Sequence, residues 1–239
     1  MPKKLLLIQA FFKKEFIINS LGGMITLYVV FLLLLGGFQG LRTLTGVEGD
    51  TVEGLVVGYV LWFFMLSTYQ DVSYALRNEA KEGTLEQLYM SVHGIGWVMG
   101  AKVVAAFFIN LMLVAVLLMA ALVTTGVTVN VDLFSLFPLV VGTLLGSVGI
   151  GFAIGGITLV LKRIDSYTQM VQFLLIALVA APAGRVMWMR FLPCSYGSNL
   201  IAQVMVGGQH ITQLGLGNVT AMLFIGIGHL GLGYGVYKL

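Results

Sequence analysis

"VVAAFFINLMLVAVLLMAALVTTGVTVNV", Val103 to Val131, runs for 29 residues without one charged side chain. A helix of roughly 20 apolar residues is long enough to cross the hydrocarbon core of a bilayer. The stretch therefore predicts a transmembrane helix and makes lipid the expected solvent for the chain around it.

Composition extends this expectation to the whole chain of 239 residues. Hydrophobic residues make up 59% of it, charged residues only 10%, and the mean hydropathy is +0.99, whereas roughly 25% of a soluble domain is charged. A net charge of +3 is too small and too dispersed to indicate a nucleic-acid partner. The single cysteine, Cys194, excludes an internal disulfide and a cysteine-only metal site, and we interpret it as a small, half-apolar side chain.

Further uncharged stretches give the remaining spans. Four of them meet or approach the length of a membrane helix, and Val219 to Tyr237 reads as the last one. The fold class predicted is an all-α membrane protein with six transmembrane helices in a single domain, 1–239. The four stretches are Phe16 to Leu41, Gly54 to Gln70, Leu133 to Leu161 and Ser166 to Gly184.

Two segments read as interfacial. In "PKKLLLIQAFFKKEFIIN" the apolar residues Leu5, Ile8, Phe12 and Phe16 share one helix face, which predicts an interfacial helix at 1–19; the alternative is a plain extension of span one. The polar segment 190–217 predicts an outer re-entrant hairpin before span six, where protein can shield its backbone. Pro182 should kink the outer end of span five.

Lys and Arg counts orient the spans. With the N-terminus inside, ten basic residues lie inside and three outside, which predicts that both termini are cytoplasmic and that Lys102 snorkels to the interface. The inside set is Lys3, Lys4, Lys13, Lys14, Arg77, Lys81, Lys102, Lys162, Arg163 and Lys238. The outside set is Arg42, Arg185 and Arg190.

Polar residues inside the spans are few: Asn110, Gln169, Gln172 and His229. Each could line a substrate path, and each could equally be a contact between helices worth roughly 1 kcal/mol, which is the favoured interpretation of any single one. For His229 we expect a packed side chain bonded to a neighbouring helix.

Small residues on span four form two ridges. Gly142 and Gly146 make the first, and Ser147, Gly151 and Gly155 make the second. Such ridges let helix backbones approach closely, so we predict helix packing there, within the chain or between subunits.

The most charged stretch, "RNEAKEGTLEQL" (Arg77 to Leu88), falls in the cytoplasm on this topology. Its first half, Arg77 to Lys81, is interpreted as the polar end of span two. Thr84 and Gln87 fit a capping box, and Glu86 in the first turn suits the helix dipole. Leu85 and Leu88 then share a face with Tyr89 and Val92, and Gly94 offers a stop. The pattern predicts a short helix in region 82–94 that docks on another protein.

A phosphate-binding loop is missing from the sequence. The nearest approach, Gly151 to Gly156, lacks the lysine that holds the phosphates, so the chain is not expected to hydrolyse ATP by that route. Ion-coupled carriers place ionisable groups near mid-membrane, and only His229 meets that description in the predicted spans.

"EGTLEQLYMS" (Glu82 to Ser91) resembles the coupling-helix region of permeases of the type 2 ABC exporter class. "LVLKRIDSYTQMVQF" (Leu159 to Phe173) and "FLPCSYGSNLIAQVMVGG" (Phe191 to Gly208) are similar to their loop between spans four and five and to their outer segment before the last span. The resemblance implies a non-catalytic permease subunit in a prokaryotic cell membrane, with no cofactor of its own.

The same resemblance implies partners. A second copy or paralogue completes the permease, and a separate ABC ATPase subunit binds ATP and Mg²⁺. Leu85 and Leu88 are then apolar anchors for that ATPase, and Glu82 and Glu86 are partners for its basic residues. The whole implied coupling set is Glu82, Gly83, Thr84, Leu85, Glu86, Gln87 and Leu88.

An uncharged pathway favours an amphipathic or lipid-like cargo, such as a drug, peptide, lipid or glycolipid. Within the class, a haem-export permease of cytochrome maturation is the alternative. Outside it, two readings remain: an intramembrane serine protease using Ser147 and His229, and a carrier or channel that works without ATP.

Overall fold

The computed structural model describes residues 26, 28–33, 35–36, 52–81, 83, 90, 94–161, 165–180 and 187–238. Two compact units divide the chain, Met1–Thr51 and Val52–Leu239. In the first unit the described residues are helical, with the rings of Tyr28 and Phe31 6.3 Å apart. The predicted interfacial helix at 1–19 lies outside the described residues.

Every regular element in the described part of the second unit is helical. Seven α-helices and one short 3-10 helix, Met187–Phe191, follow one another. The α-helices are α1 Val52–Lys81, α2 Gly94–Thr125, α3 Leu133–Leu161, α4 Asp165–Ala180, α5 Ser195–Met205, α6 Ile211–Leu214 and α7 Leu216–Lys238.

Four of these helices, α1, α2, α3 and α7, are long and apolar enough to cross a membrane. This confirms the all-helical class and fits a helical membrane protein. The apolar part of α4 found among the described residues, Met170–Val179, is shorter. Pro182 and Gly184, at the predicted end of span five, lie outside the described residues, as does most of span one.

The α1 helix continues past the uncharged stretch that ends at Gln70 to Lys81, in agreement with the prediction that Arg77 to Lys81 forms the polar end of span two. Other helix boundaries differ from the prediction. Gly94, predicted as a stop, instead begins α2. The α2 helix ends at Thr125 and not at Val131, since Gly126 adopts φ +67° and its N–H bonds the Leu122 carbonyl at 2.9 Å, a left-handed helix end that glycine favours.

The α3 helix lies at the centre of the second unit and has the predicted bounds. It packs most extensively against α7 and then against α1. The predicted ridges account for part of this packing. A Cβ added at Gly151 would come within 2.7 Å of Val72 Cβ, and one at Gly155 within 2.5 Å of Leu76 Cδ1. The ridge of Ser147, Gly151 and Gly155 therefore packs within the chain, mainly on α1.

The α3–α7 contact is closer still, because glycines of the two helices face each other. A Cβ added at Gly233 would lie 2.0 Å from the Gly149 carbonyl oxygen, and one at Gly226 would lie 2.4 Å from the Gly142 carbonyl oxygen. A Cβ added at Gly149 would in turn meet the His229 carbonyl oxygen at 2.4 Å. The backbones touch directly, as small residues in membrane helices allow.

The segment before α7 contains the helices α5 and α6, joined by residues 206–210. Leu200, Ile201 and Val204 of α5 are at most 2% exposed and belong to the largest apolar cluster of the described residues. The predicted re-entrant position of 190–217 in a bilayer stays a prediction.

Candidate functional site

The predicted coupling segment follows α1 directly. Among its residues the structure describes Gly83 and the neighbouring Met90, both in turns; Glu82, Thr84, Leu85, Glu86, Gln87 and Leu88 lie outside the described residues. Gly83 adopts φ +69°, and its N–H bonds the Ala80 carbonyl at 3.4 Å. A left-handed glycine just after the last helical residue, Lys81, is typical of a helix end. Met90 is 80% exposed.

Two polar contacts join α1 to α2. Lys102 forms an ion pair with Glu79, and Asn110 Nδ2 donates a hydrogen bond to Asp71 Oδ2 at 2.7 Å. From the first contact to the second, the residue number falls by eight on α1 and rises by eight on α2. The two helices therefore run antiparallel there. Lys102 was expected only to extend to the membrane interface. Its ammonium group is accessible at the surface, but it also pairs with the Glu79 carboxylate.

Asn110 is the predicted site residue whose contacts are clearest. Its side chain is 4% exposed, and its partner Asp71 is an ionisable residue inside a helix long enough to span a membrane. Sequence reasoning missed Asp71 because the uncharged stretch of span two ends at Gln70. A usable signal existed, since Asp71 shares one helix face with other polar residues.

That face is a polar stripe, defined here as Ser67, Gln70, Asp71, Tyr74 and Asn78. At helical spacing the five residues cover about 100° of the surface along about 17 Å of α1. Asp71 and Asn78 are exposed and the other three are half-buried. The opposite face is buried in the protein through Met65, Tyr69, Val72 and Leu76.

The other predicted pathway residues lie on different helices. Gln172 on α4 is half-buried, and its backbone carbonyl accepts the Trp62 indole N–H at 3.4 Å. Gln169 is also on α4, but its side chain is outside the description. His229 on α7 hydrogen-bonds through Nδ1 to the Ile225 carbonyl at 2.8 Å. The expected bond to a neighbouring helix is therefore wrong for His229, because its own helix supplies the acceptor.

Ser147 and Cys194 form a buried pair, with Oγ and Sγ 3.2 Å apart. Cys194 adopts φ 66° at the start of α5 and lies in an apolar cluster, and burial raises the pKa of its thiol to about 12. The interpretation of Cys194 as a small, half-apolar residue is confirmed. Among the described residues no hydrogen bond joins Ser147 to His229, the dyad that a serine protease would need.

A small cavity of about 10 Å³ lies beside this pair. Thr143, Cys194, Met222 and His229 are among its lining residues. Since a single water needs at least this much room, the cavity has space for about one water molecule.

Asp132 links the loop before α3 to the loop before α6. Its carboxylate accepts bonds from the Ser135 hydroxyl and the Phe134 N–H, and Oδ2 lies 3.0 Å from His210 Nδ1. The Ser135 hydroxyl accepts the Ile211 N–H at 2.9 Å. The hydrogen bonds from Ser135, first, and from His210 lower the pKa of Asp132 to about 2. Sequence reasoning missed this contact between residues 78 positions apart.

We expect this loop contact to weaken in acid. A carboxyl whose pKa is lowered on folding stabilises the folded state above its unfolded pKa of about 4, and that contribution is lost as pH falls towards its folded value. The melting temperature of the wild type should therefore exceed that of Asp132→Asn at pH 6, and the gap should narrow between pH 4 and pH 2. Thermal melting in detergent measures it; a gap independent of pH would contradict the assignment.

Comparisons with known proteins do not identify a family. No protein-family model matches the chain, and no curated protein or solved structure matches it significantly.

Proposed function

We propose that this chain is the permease subunit of an ATP-driven exporter of the type 2 ABC class. Its six membrane spans, of which α1, α2, α3 and α7 are four, would form half of the transport pathway. A second copy or a paralogue would form the other half. The cargo would be amphipathic or lipid-like, and the membrane that of a prokaryotic cell, with both termini in the cytoplasm.

The observation that carries the proposal is the motif Glu82 to Leu88 directly after α1. Two features support it. The long apolar helices suit a membrane subunit, and α1 ends at Lys81, just before the turn at Gly83. Because the sequence lacks a phosphate-binding loop, a separate ATPase subunit with ATP and Mg²⁺ is part of the proposal.

Purification of the tagged full chain from membranes of its host tests this proposal. We expect an ATP-hydrolysing subunit to elute with the chain in detergent, and vanadate to inhibit its ATP turnover. A pure, folded eluate without ATP turnover would contradict the proposal.

One observation favours a second candidate, a carrier that works without ATP. Such a carrier needs an ionisable group within the membrane, and Asp71 on α1 is one. Transport of an amphipathic cargo into vesicles that contain this chain alone, with no nucleotide, would favour the carrier over the exporter.

A further inference from the structure

The polar stripe on α1 is unfavourable as a surface in contact with lipid acyl chains. Asp71 is exposed at its centre, and a charged side chain facing hydrocarbon costs about 3 kcal/mol or more in a membrane helix. Polar groups in such helices face protein or a water-filled path. The stripe therefore faces one of these and not the acyl chains.

The carboxylate of Asp71 has a hydrogen-bond donor but no counter-ion. Asn110 Nδ2 donates to one of its oxygens at 2.7 Å, and the buried position of Asn110 fixes that oxygen in place. Within the residues that the structure describes, no basic side chain forms an ion pair with Asp71, and Lys102 pairs with Glu79 instead. When it is ionised, the carboxylate is therefore open to a cation from outside and is held in one orientation by Asn110.

The chemistry of the stripe favours an organic cation over a metal ion. Calcium takes six to eight oxygen ligands and magnesium about six, whereas the described residues contain no group of three or more acidic, histidine or cysteine side chains. An organic cation needs one counter-ion and favourable contact with an aromatic face. Tyr74, one turn from Asp71, is the aromatic residue of the stripe, but its ring already contacts the Arg77 guanidinium, 4.5 Å from the ring centre. The recognition of the cation therefore rests on Asp71.

We propose that the polar stripe binds the cationic head of an amphipathic organic molecule, with Asp71 as its counter-ion and Asn110 as the residue that positions the carboxylate. The apolar part of the molecule would lie against the neighbouring surface of α2, where Ile109, next to Asn110, is 41% exposed. This inference rests on the proposed function, because it names the cargo class of the permease.

Binding to the full chain in lipid nanodiscs tests the inference without any ATPase. Tetraphenylphosphonium is the cationic probe and triphenylphosphine oxide the neutral one, each corrected for uptake by protein-free nanodiscs. We expect the wild type to bind the cation, and Asp71→Asn to bind it about tenfold or more weakly, with the neutral probe unaffected. Asp71→Glu should keep the preference for the cation.

Glu53→Gln is the matched control, since it removes the same charge from the first turn of α1. It should bind both probes as the wild type does. Equal affinity for the cation in wild type and Asp71→Asn would overturn the inference. If Asp71→Asn does not fold, a wild type that binds the neutral probe as tightly as the cation overturns it equally.

Two other results are informative. Dissociation of an oligomer on Asp71→Asn substitution, with cation binding unchanged, would overturn the inference and assign the carboxylate to a contact between copies. Cation binding that depends on Asp71 in a chain that never associates with an ATPase would support the site and refute the exporter, so the two proposals fail separately.

Discussion

Gly233→Leu is expected to destabilise the fold severely. The Gly233 Cα faces the Gly149 backbone so closely that even a methyl group would lie 2.0 Å from a carbonyl oxygen. Because the obstacle is backbone, no side-chain rotation relieves it, and α7 must move away from α3. We expect a loss of about 3 kcal/mol or more, the upper range for overpacked cores, and a melting temperature about 10 °C lower.

Gly235→Leu provides the control for this substitution. It changes the same residue type on the same helix, but nothing lies within 4 Å of a Cβ added at Gly235. Its melting temperature in detergent should stay at or slightly above that of the wild type, because leucine has the higher helix propensity. Equal melting temperatures for the two variants would show that the α3–α7 contact is not as close as described.

Leu85→Asp and Leu88→Asp are expected to abolish the ATP turnover that the chain supports in its partner. The proposed coupling helix docks through these two side chains, and an unpaired carboxylate in an apolar contact costs several kcal/mol. An interface that loses such anchors no longer transmits the motion of the ATPase. The measurement is ATP hydrolysis by the purified complex, with the amount of each subunit determined.

Met90→Asp is the matched control, because it also replaces an apolar side chain by aspartate within the segment 82–94. Met90 is 80% exposed and lies off the predicted face of Leu85 and Leu88, so its substitution should leave ATP turnover near the wild-type rate. Wild-type turnover in Leu85→Asp and Leu88→Asp would remove the coupling assignment. Loss of turnover in all three variants would mean that the docking face is broader than predicted.

Much of the helical fold could be predicted from the sequence, because a long apolar helix can be recognised from its own composition. The α3 helix has the predicted bounds, since Asp132 precedes it and Lys162 follows it. The second small-residue ridge was predicted as a packing surface, and Gly151 and Gly155 do pack on α1. In both cases the decisive information lies within a few turns of one helix.

The errors have more than one cause. Asp71 was not recognised as part of the site because its hydrogen-bond donor, Asn110, is 39 positions away. Gly94 looked like a helix stop, but the apolar sequence after it continues as α2.

The contact of Asp132 with His210 could not be predicted because the two residues are 78 positions apart in the sequence. The left-handed backbone of Cys194 at the start of α5 has no local sequence signal. Patterns in a single sequence predict where a helix lies but not which helices or loops it contacts.

The central claim is that a separate ATPase docks on the segment after α1, and crosslinking tests it most directly. The only native cysteine, Cys194, is buried, so Leu88→Cys labelled with benzophenone maleimide would give a single accessible photo-reactive site. We predict an adduct with the co-purified ATP-hydrolysing subunit. Gln209→Cys, in the exposed loop between α5 and α6, should give none. An adduct from Gln209→Cys, or no adduct from Leu88→Cys in a complex that hydrolyses ATP, would contradict the claim.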